Sequence, residues 1–325
     1  MNNFKYLQAK TLEEASKFLS AKGMTSIPYA GGTDILGLAK DEIIAPDQLV
    51  NLKKIDNLTN INYQAGAGLT IGALTTITEI AENEVINGRY PVLHQAASEV
   101  ASPQLRNLGT IGGNLCQRPR CAYFREDFDC IRKGGDICYA YSGENKLHCV
   151  IGGDPCYIVH PSDLAVALLA LDARIKIHTG KKSRIIPIKE FFILPELDFM
   201  RENILKDGEI ITEIQIDEQP PNTKSGYIKI KERAVWDFAL VSIAAVIRKS
   251  GNSLLGGRIA FGGVAPIPWQ EEKVNRRLNG LMINEKSISD VSQMALADAT
   301  PLEMNAYKVP LARNILKRIL TILTG

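Results

Sequence analysis

The sequence predicts an α+β fold, and three observations carry that expectation. The chain opens with strand and helix patterns in alternation. Its middle third ends in short runs of alternating apolar residues. Beyond a polar, proline-bearing segment (217–225, DEQPPNTKS), three strand-like runs precede two or three helical ones. Strands followed by helices at one end of a sequence make the α+β arrangement. A length of 325 residues suggests two or three domains, and the polar segment is the expected boundary between 1–218 and 222–325.

Hydrophobic content of 45% and charged content of 23% are those of a soluble globular protein, and a net charge of +2 favours neither nucleic acid nor a membrane surface as partner. Met1 to Lys5 lack a basic segment leading into an apolar run, so no signal peptide is expected. The longest apolar run, Leu164 to Leu171, is far too short to span a bilayer. The cytoplasm is the expected location, with export as a passenger on a partner's signal left open.

Phe4 to Leu7 reads as a first strand. Thr11-Leu12-Glu13-Glu14 has capping-box spacing, and Leu12, Ala15, Phe18 and Leu19 make one apolar stripe that Gly23 ends. Ile27 to Ala30 is the next strand, running into Gly31-Gly32-Thr33-Asp34 and a short helix from Ile35 to Lys40. Strands follow at Gln48–Asn51 and Leu69–Ile71, with helices at Thr75–Asn83 and Pro91–Val100, the second having proline in its first turn. Leu164 to Ala173 is a helix capped by Ser162 or Asp163. Arg174 to His178 alternates as a strand, Lys181-Lys182 is its expected hairpin turn, and Ile185 to Ile188 returns. Glu209 to Ile216 alternates again. After the linker come strands at Tyr227–Lys231, Phe238–Arg248 and Leu255–Gly262, then helices at Gln270–Asn279, Ser287–Ala297 and Pro310–Leu323.

Gly31-Gly32, between a strand and a helix, lets backbone approach a phosphate-bearing ligand closely, although one such pair is also an ordinary tight turn. The G-x-G-x-x-G fingerprint of dinucleotide folds is absent. A second pair, Gly112-Gly113, reads as another turn, and two of them in one small domain favour a pyrophosphate-bearing ligand such as a dinucleotide. The four histidines (His94, His148, His160 and His178) do not cluster. No Ser-His-Asp or paired-carboxylate arrangement is defensible.

All six cysteines lie between Cys116 and Cys156. Disulfides belong to small secreted domains in oxidising compartments. Structural zinc brings its ligands in close C-x₂₋₄-C pairs, whereas the intervals from Cys116 through Cys121, Cys130, Cys138 and Cys149 to Cys156 are four, eight, seven, ten and six residues. An iron–sulfur cubane accepts four thiolates from irregular loops. Arg118, Arg120, Arg125, Arg132 and Lys133, interspersed among the cysteines, suit its negative charge. Residue chemistry favours the third reading and leaves the other two open.

The runs Ala30-Gly31-Gly32-Thr33-Asp34, Arg106 to Asn114 (RNLGTIGGN) and Pro161-Ser162-Asp163 together resemble the FAD-binding subunits of molybdenum hydroxylases, the xanthine dehydrogenase group. The resemblance implies a two-subdomain FAD-binding domain of the vanillyl-alcohol-oxidase (PCMH) type, with a smaller C-terminal flavoprotein domain from about residue 222. It implies flavin contacts from Tyr29, Ala30, Gly31, Gly32, Thr33 and Asp34, from Thr110, Gly113 and Asn114, from Ala101 and Asp163, and from Lys229 across the domain boundary. The insertion at about 115–158 is similar to those of [4Fe–4S]-bearing flavin subunits of aldehyde oxidoreductase and 4-hydroxybenzoyl-CoA reductase. On that likeness Cys121, Cys130, Cys138 and Cys156 are the ligands, Cys149 is the alternative fourth ligand and Cys116 is none. The implied function is electron transfer by FAD and the cluster. The implied partners are a large molybdenum-cofactor subunit, a small [2Fe–2S] subunit, and ferredoxin or NAD as an outside electron partner. Two rival classes stand beside this: a stand-alone FAD oxidoreductase on the same fold, and an iron–sulfur or zinc redox-sensing module without turnover.

Overall fold

The structure is a computed structural model that describes residues 1–325. In the first unit β1 (Lys5–Gln8), α1 (Leu12–Leu19), β2 (Ser26–Tyr29), α2 (Ile35–Lys40) and β3 (Gln48–Asn51) follow one another. The three strands form a parallel sheet in the order β1-β3-β2. Thr11 caps α1 by accepting a hydrogen bond from Glu14 N–H, and Ala15 and Leu19 turn inward onto Val50 and Leu52. The sequence-predicted helix and both flanking strands form here because the apolar stripe and the cap agree.

The second unit contains β4 (Ile61–Gln64), β5 (Gly68–Gly72), α3 (Ile77–Glu82), α4 (Glu84–Arg89), α5 (Pro91–Ser98), α6 (Pro103–Arg106), α7 (Ile111–Leu115), α8 (Ala122–Arg125), α9 (Asp163–Ala170), β6 (Arg174–Thr179), β7 (Lys182–Pro187) and β8 (Ile210–Ile216). Its sheet is antiparallel in the order β4-β5-β8-β6-β7. All eight residues of α9 are buried, and beyond Asp163 the helix is apolar on every side and fills the core between this sheet and the next.

The third unit is the four-stranded sheet β12-β11-β10-β9, built from β9 (Thr223–Ile230), β10 (Val241–Ser250), β11 (Ser253–Gly262) and β12 (Trp269–Gln270). It is followed by α10 (Glu272–Leu278), α11 (Glu285–Gln293) and α12 (Lys308–Thr324). Alternate residues of β10 face two cores. Ile243, Ala245 and Ile247 pack with Ile315, Leu316 and Ile319 of α12, while Ala244 and Val246 pack with α9. A strand covered on both faces reads as a continuous apolar run, and Val241 to Ile247 is one.

Several expectations give way. Gly112-Gly113 is not a turn: Thr110 caps a helix there, so both glycines are helical. The β6–β7 turn is Gly180-Lys181 rather than Lys181-Lys182, since Thr179 pairs with Lys182 and Gly180 takes φ +56°. The expected linker is partly strand, because Thr223 to Ser225 already pair with β10. Phe238 to Leu240 precede the strand that begins at Val241. Ser162, not Asp163, caps α9, accepting a hydrogen bond from Ala165 N–H at 3.0 Å. No helix is long and apolar enough to cross a membrane.

Candidate functional site

The loop leaving β2 forms one wall of a cavity of about 390 Å³. Gly32 has φ +75°, the left-handed region that favours glycine. A Cβ on it would fall 2.8 Å from the Tyr29 ring. Gly31 is needed for a different reason. A Cβ there would sit 2.0 Å from the carbonyl oxygen of Leu108, so two stretches of backbone meet where no side chain fits. The facing wall is the start of α7, where Thr110 Oγ1 accepts from Gly113 N–H at 3.2 Å. Gly112 packs against Ala73, while a Cβ on Gly113 would meet only Thr110 Oγ1, at 3.0 Å. Ala30, Gly31, Gly32, Thr33, Gly113 and Asn114 thus line one space, although some 80 residues of sequence separate them.

Asp34 lies at the same cavity, but its carboxylate is occupied. Its Oδ2 accepts from the Arg118 backbone N–H at 2.8 Å, and its Oδ1 pairs with Arg125 at 2.9 Å and Arg120 at 3.0 Å. Arg118 also pairs with Glu202 at 2.9 Å, and Glu202 accepts from the buried Arg132. Two carboxylates outside the cysteine-rich segment therefore hold four of its arginines. Sequence reasoning marked these arginines only as scattered cations and missed Glu202 entirely.

A second cavity, of about 530 Å³, lies between the cysteine-rich segment, the start of α9 and the third unit. Arg120 lines both cavities, and Cys121, His148, Ser162 and Asp163 line the second. The Ser162 hydroxyl donates to Asn114 Oδ1, tying this cavity's wall to the first. Asp163 is buried, accepting from Tyr227 Oη at 2.6 Å and from Lys229 Nζ at 2.7 Å. Burial pushes its carboxyl above the usual carboxylate range, and the Lys229 ammonium and Tyr227 hydroxyl pull it back. Burial and the Asp163 charge likewise raise the Tyr227 hydroxyl well above its ordinary value. Lys229, on β9, has a side chain only 1% exposed and also donates to the Glu99 carbonyl at 3.1 Å. Ala101, two residues beyond Glu99, has φ +44°, and its carbonyl accepts from Trp236 N–H at 3.1 Å. Asp163 and Lys229 thus meet where the second and third units join, with Ala101 two residues beyond the Glu99 carbonyl that Lys229 also holds. Tyr227, which completes the arrangement, carries no sequence signal beyond its place on a strand.

All six cysteines are free thiols, so no disulfide braces the segment. The neighbouring Cys138 and Cys156 thiols act on one another, lowering the first and raising the second. Cys121 and Cys130 adjoin the small apolar cluster of Leu38 and Phe124. Burial pushes the Cys121 thiol up to about 11, opposed by the N–H groups of Phe124 and Tyr123, with Cys156 and Cys130 adding to the rise. Arg132 Nε donates to Cys156 Sγ at 3.4 Å, and His148 Nε2 lies 3.2 Å from Cys121 Sγ. Burial pushes Cys149 up to about 12, and its neighbouring charges are Lys308 and Cys156. Cys116, also raised to about 12 by burial, feels Glu202 and no other cysteine. No three His, Cys, Asp or Glu side chains converge on one point as the ligands of a single ion do. A cubane does not require that, because each of its four thiolates binds a different iron. Cys121 is within electrostatic reach of Cys130, Cys138 and Cys156, and one cation, Arg132, donates to Cys156.

Comparison with known proteins gives a consistent result. Residues 2–218 match the family described as FAD binding domain in molybdopterin dehydrogenase, and residues 226–323 match the CO dehydrogenase flavoprotein C-terminal domain. The chain is 36% identical to the aldehyde oxidoreductase FAD-binding subunit PaoB of Escherichia coli, covering 98% of both chains. It is 27% identical to the carbon monoxide dehydrogenase medium chain of Hydrogenophaga pseudoflava, covering 98% of this chain and 96% of that one. The fold superposes on carbon monoxide dehydrogenase from H. pseudoflava with a TM-score of 0.78 at 25% identity, over 98% of this chain and 96% of the other. On quinoline 2-oxidoreductase from Pseudomonas putida it superposes with a TM-score of 0.76 at 22% identity, over 99% and 97%. With two family matches that together span nearly the whole sequence, the chain belongs to the FAD-binding medium subunits of the molybdenum hydroxylases, as an oxidoreductase subunit.

Proposed function

We propose that this chain is the FAD and [4Fe–4S] electron-transfer subunit of a heteromeric molybdenum hydroxylase. In this reading it passes electrons between a [2Fe–2S] and molybdenum pair of partner subunits and an outside carrier such as ferredoxin or NAD. The observation that carries it is positional. The cysteine-rich segment is inserted between Asn114 and Asp163, and Arg120 and Cys121 within it line the cavities that those residues border. When bound, FAD and the cluster supply two-electron and one-electron redox chemistry, and the protein supplies position and electrostatics.

Tyr29 to Asp34, with Thr110, Gly113 and Asn114, would hold the pyrophosphate part of the flavin, with Gly31 and Gly32 bringing backbone close. Ala101, Asp163 and Lys229 would meet its ring, the buried ion pair fixing a charge that solvent cannot screen. Cys121, Cys130, Cys138 and Cys156 would hold the cluster, with Cys149 the alternative fourth ligand. The domains would divide at 1–218 and 222–325, and the complex would work in the cytoplasm. The name of the E. coli relative, an aldehyde oxidoreductase subunit, supports an aldehyde substrate on the large partner.

Anaerobic purification tests the proposal. Flavin bands over a broad iron–sulfur shoulder, four irons per chain, and co-purification of one large and one small subunit are expected. Flavin without iron would remove the cluster, and substrate turnover by the isolated chain would favour a self-contained flavoenzyme.

A further inference from the structure

We propose that Lys308 is the buried counter-charge of the cysteine-rich segment and acts as a positioning residue that sets the reduction potential of the cluster held there. The inference rests on the reading that the four thiols hold a [4Fe–4S] cluster. It assigns a role to a residue on the third unit, outside the flavin and cysteine sites.

Lys308 opens α12 and is 0% exposed. Its ammonium donates to the carbonyl oxygens of Gly263 at 2.7 Å and Leu147 at 2.9 Å, and it has no carboxylate partner. A lysine is almost never fully buried unless it is paired, and an uncompensated buried charge costs several kcal/mol. A neutral donor would satisfy the carbonyls equally well, as the preceding turn demonstrates. There Asn305, also fully buried, donates to the His148 and Cys149 carbonyls at 3.2 and 2.9 Å. Met304 N–H adds a bond to Asn145 Oδ1 at 2.9 Å. Clamping the 145–149 segment therefore explains Asn305 but not the charge on Lys308.

An anion across the clamped segment does explain the charge. Lys308 holds the Leu147 carbonyl, one residue before His148. His148 touches Cys121. A thiolate-ligated cluster would bring several negative charges to this region, and one more on reduction. A fixed cation in a poorly screened interior stabilises the reduced form more than the oxidised one. Net charge and hydrogen bonds around the sulfurs are among the levers that set iron–sulfur potentials. Burial pushes Lys308 itself down to about 7, the response of an ammonium that lacks a full counter-ion.

The test is an EPR-monitored redox titration of the anaerobically purified complex carrying Lys308→Met or Lys308→Gln, with Lys308→Arg and Asn305→Ala alongside. With flavin and four irons retained, both neutral variants are expected to lower the reduced-to-oxidised ratio at a fixed poise by about tenfold. For a one-electron couple that is a midpoint about 59 mV lower. Lys308→Arg and Asn305→Ala should stay at the wild-type value. An unchanged midpoint in an iron-replete neutral variant overturns the proposal, as does an equal shift in Asn305→Ala, which would assign the effect to packing. Should the neutral variants lose iron, its retention in Lys308→Arg supports the role of charge, and loss in all three overturns it. A wild-type complex without iron would instead sink the underlying cluster reading, so the two failures are distinct.

Discussion

Replacing Lys229 by methionine tests the junction between the second and third units most directly. Lys229 Nζ lies 2.7 Å from Asp163 Oδ2, and both side chains are almost wholly buried. With an effective dielectric of about 20, that separation corresponds to a gross attraction of about 6 kcal/mol. Desolvation of both ions offsets part of it, and removing one partner of a buried pair costs about 3–5 kcal/mol because the other charge is stranded. In Lys229→Met the Asp163 carboxylate keeps the Tyr227 hydrogen bond alone. Its pKa, already raised by burial, then climbs further. A carboxyl whose folded pKa exceeds its unfolded value binds its proton more tightly in the native state. It therefore opposes folding increasingly as the pH rises from the unfolded value to the folded one, and not at all in acid below both. Urea unfolding of Lys229→Met should show a loss of about 3–5 kcal/mol at pH 7.5 and a clearly smaller one at pH 5.5. The double variant Asp163→Asn/Lys229→Met should lose less than the sum of the two single changes. A loss below about 1 kcal/mol, or an equal loss at both pH values, would refute the buried-pair argument.

The two glycine walls should respond differently. Gly31→Ala, whose Cβ would collide with the Leu108 carbonyl, should cost about 3 kcal/mol or more in unfolding measurements. Gly113→Ala, facing little but Thr110 Oγ1, should fold normally yet bind FAD about tenfold more weakly by fluorescence titration. Thr110→Ala removes the cap of α7 and should lower stability by about 1 kcal/mol, with flavin affinity falling alongside. Iron analysis of Cys130→Ser and Cys149→Ser separates the candidate fourth ligands: the first should fall below four irons per chain while the second keeps its full complement. The reverse result would move the ligand to Cys149.

What the sequence revealed follows from which interactions are local. The strand–glycine–helix passage at 26–40 was legible because the cap, the stripe and the turn residues all lie within a few positions of one another. The second Gly-Gly was placed correctly and misread in form. Two glycines argue against a helix, but the Thr110 cap and the packing of Gly112 on Ala73 override that preference. β4 was missed because its Ile-Asn-Tyr-Gln run, although alternating, is only four residues long and lies at the sheet edge. Asp34 was read as part of a ligand loop, whereas its carboxylate binds arginines 84 to 91 residues further on. Contacts of that range leave no periodic trace. Lys308 was equally invisible, since a lysine at a helix start reads as solvated and only the tertiary structure shows it buried.

The cysteine-rich segment can sit inside a flavin domain because its ends are held together. Asn114 closes one wall of the first cavity and Ser162 begins α9, and the Ser162 hydroxyl donates to Asn114 Oδ1. A segment whose ends are fixed by the host adds a closure cost that grows only slowly with its length. Glycine-lined walls and α9 therefore keep their register whatever lies between them. The segment is then fastened outward in three directions: to Asp34 beside the glycine loop, to Glu202 between β7 and β8, and to Asn305 and Lys308 on the third unit. Each anchor belongs to a different part of the chain, and two of the three are ion pairs to arginines of the segment. Fastened in this way, the segment is held in place where Arg120 and Cys121 line the cavities. The arginines and Lys308 thus fasten the segment to three separate parts of the chain, and Arg132 alone among them also reaches a sulfur, that of Cys156.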